Sequence, residues 1–180
     1  MRTNVVVVNG GSSSGKTSIA RCLQELLLPG MWLRWSIDDL VAALPTTAGP
    51  GEQAITFTSD GGVVLAADFR QAETAWTAGL AAMARAGVGV IIDDVFLSGS
   101  ASQERLRAGL RNLQVLWVGV HCDPDVATVR EAGRADRTAG MAASQATAVH
   151  QGVAYDVEVD TTSTSPMQSA RVINCAVNRS

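Results

Sequence analysis

The chain has 180 residues, 47% hydrophobic and 17% charged, with a formal net charge of −3. That length suits one domain with a full core, and the composition is that of an ordinary soluble globular protein. A small negative charge with no basic run argues against a nucleic-acid partner, and without about 18 uninterrupted apolar residues no membrane span is expected.

Met1-Arg2-Thr3-Asn4 leads straight into Val5-Val6-Val7-Val8-Asn9, which leaves no room for a signal peptide and suggests a cytoplasmic location. The valines predict a strand buried on both faces. Gly10-Gly11-Ser12-Ser13-Ser14-Gly15-Lys16-Thr17 follows and fits G-x-x-x-x-G-K-[ST] at every defined position. Beyond it Ile19, Leu23, Leu26 and Leu27 have helical spacing. Strand, glycine-rich turn and helix aim backbone N–H groups and the positive end of a helix dipole at one spot, which binds phosphate. Lys16 is the only lysine; the other thirteen of the fourteen Lys and Arg residues are arginines. A chain that otherwise writes its cations as Arg has a compact ammonium where the β- and γ-phosphates must be reached, so a nucleoside triphosphate is the expected ligand.

Leu28-Pro29-Gly30 ends that helix, and Met31–Ile37 alternates as a second strand delivering Asp38 and Asp39 at its carboxyl end. Asp39 is expected to cap a short helix, Leu40–Leu44, that Pro45 closes. Residues 46–53 are a Gly/Pro/Thr-rich loop, and Ile55–Thr58 and Val63–Leu65 flank Asp60-Gly61-Gly62 as a hairpin. The whole stretch, about 45–66, interrupts strand–helix alternation and is expected to be an insertion lying over the site. Asp68 and Gln71 have capping-box spacing for a helix that buries Phe69, Ala72, Trp76, Leu80 and Met83 and stops at Gly87.

Val88–Asp94 reads as another buried strand ending in carboxylates. Ser100 with Gln103 is expected to open a helix through Leu106, Leu110 and Leu113, before a strand at Val115–Val120. Asp123-Pro124 caps and starts the next helix. The charged, glycine-bracketed segment around Arg130–Gly140 has the look of a lid, about 130–141, followed by a helix at Met141–Val149. Val157–Asp160 is the fifth strand, and Ser165-Pro166-Met167-Gln168 starts the last helix. Cys22, Cys122 and Cys175 are expected to be buried free thiols.

The pattern predicts a single three-layer α/β domain over 1–180 with a five-stranded parallel sheet and its site beyond the strands' carboxyl ends. Every group of interest falls there. Thr17 and Asp93 are candidate Mg²⁺ ligands, with Asp94 left to cap a turn. Asp38 is the candidate general base for phosphoryl transfer to an alcohol. Arg134 and Arg137, three apart, could share a face of the lid and close over a triphosphate; the alternative is a solvated face paired with Glu131 and Asp136. His121 and His150 show no ligand spacing and read as structural, and Trp117 as core.

Between Asp38 and Asp94 the only basic residues are Arg70 and Arg85, whereas six of the eight aromatics (Trp32, Trp35, Phe57, Phe69, Trp76, Phe96) fall between 32 and 96. A pocket poor in cations and rich in aromatics suits a neutral, partly aromatic alcohol.

Over nearly its whole length the chain resembles the chloramphenicol phosphotransferases of antibiotic-producing actinomycetes. The likeness lies in VNGGSSSGKTSIARCLQ, WSIDDLVAALP, GVGVIIDDVFLSGSASQERLR, VLWVGVHCD, REAGRADRTAGMAASQA and VHQGVAYDVEVDTT. It implies a P-loop fold like that of the nucleoside monophosphate and shikimate kinases. It also implies ATP-dependent phosphorylation of a primary hydroxyl on an antibiotic, with the base on Asp38, the phosphate loop on Gly10–Thr17 and the lid arginines on Arg134 and Arg137. The chain departs from the family mainly in residues 45–66 and at the C-terminus. Antibiotics of nucleoside type, a sugar or polyol kinase and a non-catalytic nucleotide sensor are the other readings. Asp38 beside Lys16 argues against the sensor, which needs no base. The oligomeric state, monomer or homo-oligomer, is left open.

Overall fold

The computed structural model describes residues 3–45, 55–57, 63–133 and 140–179. The Asp60-Gly61-Gly62 turn, the 46–53 loop, Arg134 and Arg137 lie outside them.

The valine run forms β1 (Val5–Gly10), and because successive side chains of a strand alternate, Val5 and Val7 enter one core while Val6 and Val8 enter another. All four are fully buried, as expected of a central strand covered on both faces. The chain continues through α1 (Lys16–Leu26), β2 (Trp32–Ser36), α2 (Ile37–Ala43), β3 (Ile55–Phe57), β4 (Val63–Leu65), α3 (Ala67–Arg85), β5 (Gly89–Asp94), α4 (Ser100–Gly109), β6 (Val115–His121), α5 (Pro124–Ala132), α6 (Met141–Ala148), β7 (Val157–Asp160) and α7 (Pro166–Val177). Five strands make one parallel sheet in the order β2-β5-β1-β6-β7, and β3 with β4 makes a separate antiparallel hairpin. The three-layer α/β expectation is met.

One core packs Ile19, Leu23, Ile173 and Val177, from α1 and α7, on Val6, Val8, Ile91 and Val118. The other packs Leu80, Ala84, Leu106 and Leu110, with Phe96, on Val5, Val7, Ile92 and Trp117. β1 lies between β5 and β6, so the chain reverses its direction of progress across the sheet there, and a crevice opens beyond the carboxyl ends. Register sets Val8 beside Asp93, Asn9 beside Asp94 and Ser36 beside Asp93, which brings the ends of β1, β2 and β5 together.

Several helix starts differ from expectation. α2 is capped by Ser36, not Asp39: the Ser36 hydroxyl accepts from the Asp38 N–H at 3.2 Å, and Asp39 reaches back to the Ser36 N–H at 2.7 Å. α3 begins after Ala66 with no side-chain cap, so Asp68 sits in its first turn instead of capping it. α4 follows Gly99, and Gln103 is buried and bridges the Ala154 N–H and carbonyl. α4 ends at Gly109, so Leu113 lies beyond it. Asp123 and Ser165 do cap α5 and α7 as expected. The cysteines are free but not buried: Cys22 and Cys122 are half-buried and Cys175 is exposed.

Candidate active site

The loop between β1 and α1 is shaped by tight approach. A Cβ on Gly10 would stand 2.7 Å from Ser14 Oγ and 2.8 Å from the Val120 carbonyl, so only glycine fits. Gly15 ends the loop at φ +89, a left-handed conformation that glycine adopts without steric cost. The first amides of α1 have no carbonyl one turn back, and they face the loop's concave side with the helix dipole behind them.

Side chains elsewhere hold the loop. Asn9 Oδ1 accepts the Phe96 N–H at 2.9 Å, while Asn9 Nδ2 donates to the Val149 carbonyl at 2.9 Å and the Tyr155 hydroxyl at 2.6 Å. Thr161 Oγ1 donates to the Ser14 carbonyl at 2.7 Å, and Arg130 binds the Thr161 carbonyl at 2.7 Å. Gln145 Oε1 accepts the Ser12 N–H at 2.9 Å. Asn9, Thr161, Arg130 and Gln145 carry no motif that marks them. Asn9 alone left a trace, as a polar residue closing a run of four valines.

A cavity of about 680 Å³, open to solvent, begins at this loop. Ser12, Lys16, Thr17, Ser36, Asp38, Asp93 and Gln145 supply its polar wall. Ile37, Val41, Ile55, Val63, Leu65, Phe69, Val95, Leu97 and Met141 supply the apolar one. Ile55, Val63 and Leu65 of the β3–β4 hairpin line the cavity. Lys16 is the only cation in the described lining. Of the aromatics expected there, Phe69 lines the cavity, and the side chain of Phe57 lies outside the described residues. Trp32 and Phe96 are consumed by the two cores, Trp35 and Trp76 pack against the second, and the rest of the described apolar lining is aliphatic.

Lys16, the first residue of α1, is 9% exposed and donates to the Gly11 carbonyl at 3.2 Å. Asp38 stands exposed at the second position of α2, held there by the Ser36 cap. The alternation of β5 separates its two aspartates. Asp93 enters the cavity, is 1% exposed, and neither carboxylate oxygen has a hydrogen-bond partner. Asp94 faces a neighbouring space with Arg70, Glu73, Trp76 and Arg105, and accepts the Val95 N–H at 2.6 Å. Burial pushes the Asp94 carboxyl up to about 6, the Val95 hydrogen bond opposing and the charge of Glu73 adding.

The residues fit a nucleoside triphosphate and a hard cation. The buried hydroxyls of Ser12, Ser13 and Ser14 have no partner among the described residues, and Asp93 brings two orphaned oxygens to the cavity that Thr17 also lines. Hydroxyl and carboxylate oxygens are the ligands Mg²⁺ takes, with phosphate oxygens and water completing its octahedron. Among the described residues no three His, Cys, Asp or Glu side chains gather as a metal cage.

His121 and His150 are not part of the cavity. Their rings stack at 4.1 Å, His150 Nδ1 lies 2.6 Å from the Tyr155 hydroxyl, and His121 Nε2 lies 2.8 Å from Glu158. Since that hydroxyl accepts from Asn9, its own proton goes to His150 Nδ1, which leaves His150 neutral. Burial and the neighbouring His121 lower the His150 imidazole to about 4.

A parallel sheet whose central strand feeds this loop into a helix defines a P-loop nucleotide-binding fold. Solved structures share the fold from end to end. The tunicamycin resistance protein of Deinococcus radiodurans has a TM-score of 0.67 at 20% identity, over 98% of this chain and 96% of that one. The shikimate kinase of Acinetobacter baumannii gives 0.58 at 14% identity, over 98% and 94%. The chain belongs to the chloramphenicol phosphotransferase-like family, whose model matches residues 3–178. It is also 30% identical to proteins of two Mycobacterium tuberculosis strains, provisionally named O-phosphotransferases, over 94% of this chain and 80% of theirs. Among the described residues no helix is long and apolar enough to cross a membrane.

Proposed function

We propose that the protein transfers the γ-phosphoryl group of ATP to a hydroxyl of a neutral small molecule of the antibiotic type, chloramphenicol or a similar compound, and so confers resistance. One observation carries this reading: a single cavity joins the phosphate loop and an orphaned carboxylate to Asp38 and a mostly aliphatic wall, with no cation beyond Lys16 among the described lining residues. A sugar or polyol would need polar partners along that wall, and a charged acceptor would need arginines in it.

In this reading the loop Gly10–Thr17 cradles the phosphates with the amides not already tied to Gln145 or the loop itself, and Lys16 reaches the β- and γ-oxygens. Thr17 and Asp93 would hold Mg²⁺, which when bound neutralises charge on the phosphates. Asp38 accepts a hydrogen bond from the acceptor hydroxyl, holds its oxygen in line and takes the proton as the new O–P bond forms and the bond to ADP breaks. Arg134 and Arg137, outside the described residues, are assigned to the lid that covers the triphosphate.

The test is ATP consumption with and without chloramphenicol and a panel of hydroxylated antibiotics, with products weighed by mass spectrometry. An acceptor-stimulated turnover is expected. Asp38→Asn should cut it by about 10²–10⁴-fold with ATP affinity kept, and Lys16→Ala should abolish it. Equal turnover in wild type and Asp38→Asn removes Asp38 from the mechanism, and a panel without a phosphorylated product removes the antibiotic reading.

A further inference from the structure

Of the polar groups that line the cavity from outside the phosphate loop, Gln145 is the one not yet given a chemical role. Gln145 lies on α6 and is 5% exposed. Its Oε1 takes the Ser12 N–H at 2.9 Å, and α6 presses so closely on the loop that a Cβ at Gly11 would stand 3.2 Å from the Gln145 carbonyl carbon. A side-chain amide carries its acceptor and its two-proton donor in one plane. With Oε1 tied to Ser12, the direction of Nε2 is set as well.

Among the described residues Nε2 has no hydrogen-bond partner, and it is not among the fully buried unpartnered atoms. Gln145 lines the cavity with Lys16, Thr17, Asp38 and Asp93. The residue is held from behind too. Glu131, on α5 and 5% exposed, accepts the Gly140 and Ala142 N–H groups at 2.9 and 2.8 Å, which fixes the first turn of α6.

We propose that Gln145 is a further catalytic residue, whose Nε2 donates a hydrogen bond to an oxygen of the phosphoryl group in transfer. The inference rests on the kinase reading above. The tie to Ser12 sets the side chain against the phosphate loop, so a phosphoryl oxygen is the partner assigned to its donor. Phosphoryl transfer spreads charge over the equatorial oxygens, and a preorganised donor there favours the transition state over the bound nucleotide. Gln145 gives up no proton; the acceptor's proton still goes to Asp38.

Two variants separate a donor from a brace. Gln145→Glu keeps an oxygen for the Ser12 N–H but has no N–H of its own, and Gln145→Met removes both at similar size and without added charge. Slow ATP hydrolysis, acceptor-stimulated turnover, affinity for the unreactive analogue AMP-PNP and melting temperature would be measured for each. Both variants should lose about 30-fold or more in kcat, with AMP-PNP affinity held within about threefold, and the Glu variant should melt like wild type. A Glu variant with wild-type kcat would make Gln145 a brace only and overturn the inference. Parallel loss of AMP-PNP binding and turnover in both variants would do the same. A wild type that neither binds nor hydrolyses ATP overturns the kinase reading itself, and a turning-over wild type with unimpaired variants overturns this inference alone.

Discussion

Asp93 and Asp94 are chain neighbours with the same side chain, and the alternation of one strand gives them opposite surroundings. Asp94 is compensated by the Val95 N–H, whereas Asp93 is buried with neither oxygen bonded. A buried carboxylate without a partner weakens the fold, so its presence points to a role that stability does not explain. Asp93→Asn should leave the protein as stable as wild type in EDTA, or more so by about 1 kcal/mol, while Mg²⁺-dependent turnover collapses. Thermal melts in EDTA and Mg²⁺ titrations of turnover check both halves; clear destabilisation in EDTA would mean that Asp93 is structural. The cradle and its lysine could be named from one motif because spacing alone dictates them. Asp93 could be favoured over Asp94 only by analogy, since strand alternation says that two neighbours diverge but not which enters the cavity. Gln145, Thr161 and Arg130 could not be named at all, for each acts across long stretches of chain on a backbone group that any residue possesses.

At the scale of elements, the start of α2 positions Asp38. Ser36 ends β2 and caps α2 at once, so no loop intervenes and Asp38, the proposed base, is set by a strand end and a helix start together. That economy hid the cap from the sequence: the alternation of Met31–Ile37 runs on through the capping residue, and Asp39, the more obvious cap, supplies the reciprocal half of the box. Caps preceded by a proper loop, Asp123-Pro124 and Ser165-Pro166, were legible because nothing competed for those residues. Ser36→Ala and Ser165→Ala each remove a capping-box hydroxyl, from opposite ends of the chain. Both should lower stability by about 1 kcal/mol, read from urea unfolding. Only Ser36→Ala should also lower turnover, by about tenfold, because only it loosens Asp38. Equal turnover in the two variants would detach the base from its cap.

Across the whole molecule, the phosphate loop is wired to the sheet's outer strand by Asn9, Tyr155, His150, His121 and Glu158. The parallel sheet was legible, since alternating buried runs and helices force one, though not its strand order. This polar chain was not, because it joins residues that only the order β1-β6-β7 makes neighbours. It has a pH signature. His150 titrates near 4 in the folded protein against about 6.5 unfolded, so between those values the unfolded chain binds more protons. His150 therefore contributes stability that is present above about 6.5 and lost as pH falls toward 4. The groups facing it are His121 by stacking, Tyr155 by hydrogen bond and, beyond His121, Glu158. Because the ring is only half-buried, the loss is set at about 1–2 kcal/mol, below what the full shift would give. Asp94, raised by burial, runs the other way, so the raw pH curve of the wild type mixes two opposed slopes. Comparison with His150→Gln cancels the Asp94 part. The unfolding free energy of wild type minus that of the variant should fall by about 1–2 kcal/mol between pH 7 and pH 4. A difference that stays flat over that range would mean that His150 is charged or solvated in the fold, and that Tyr155 gives its proton elsewhere.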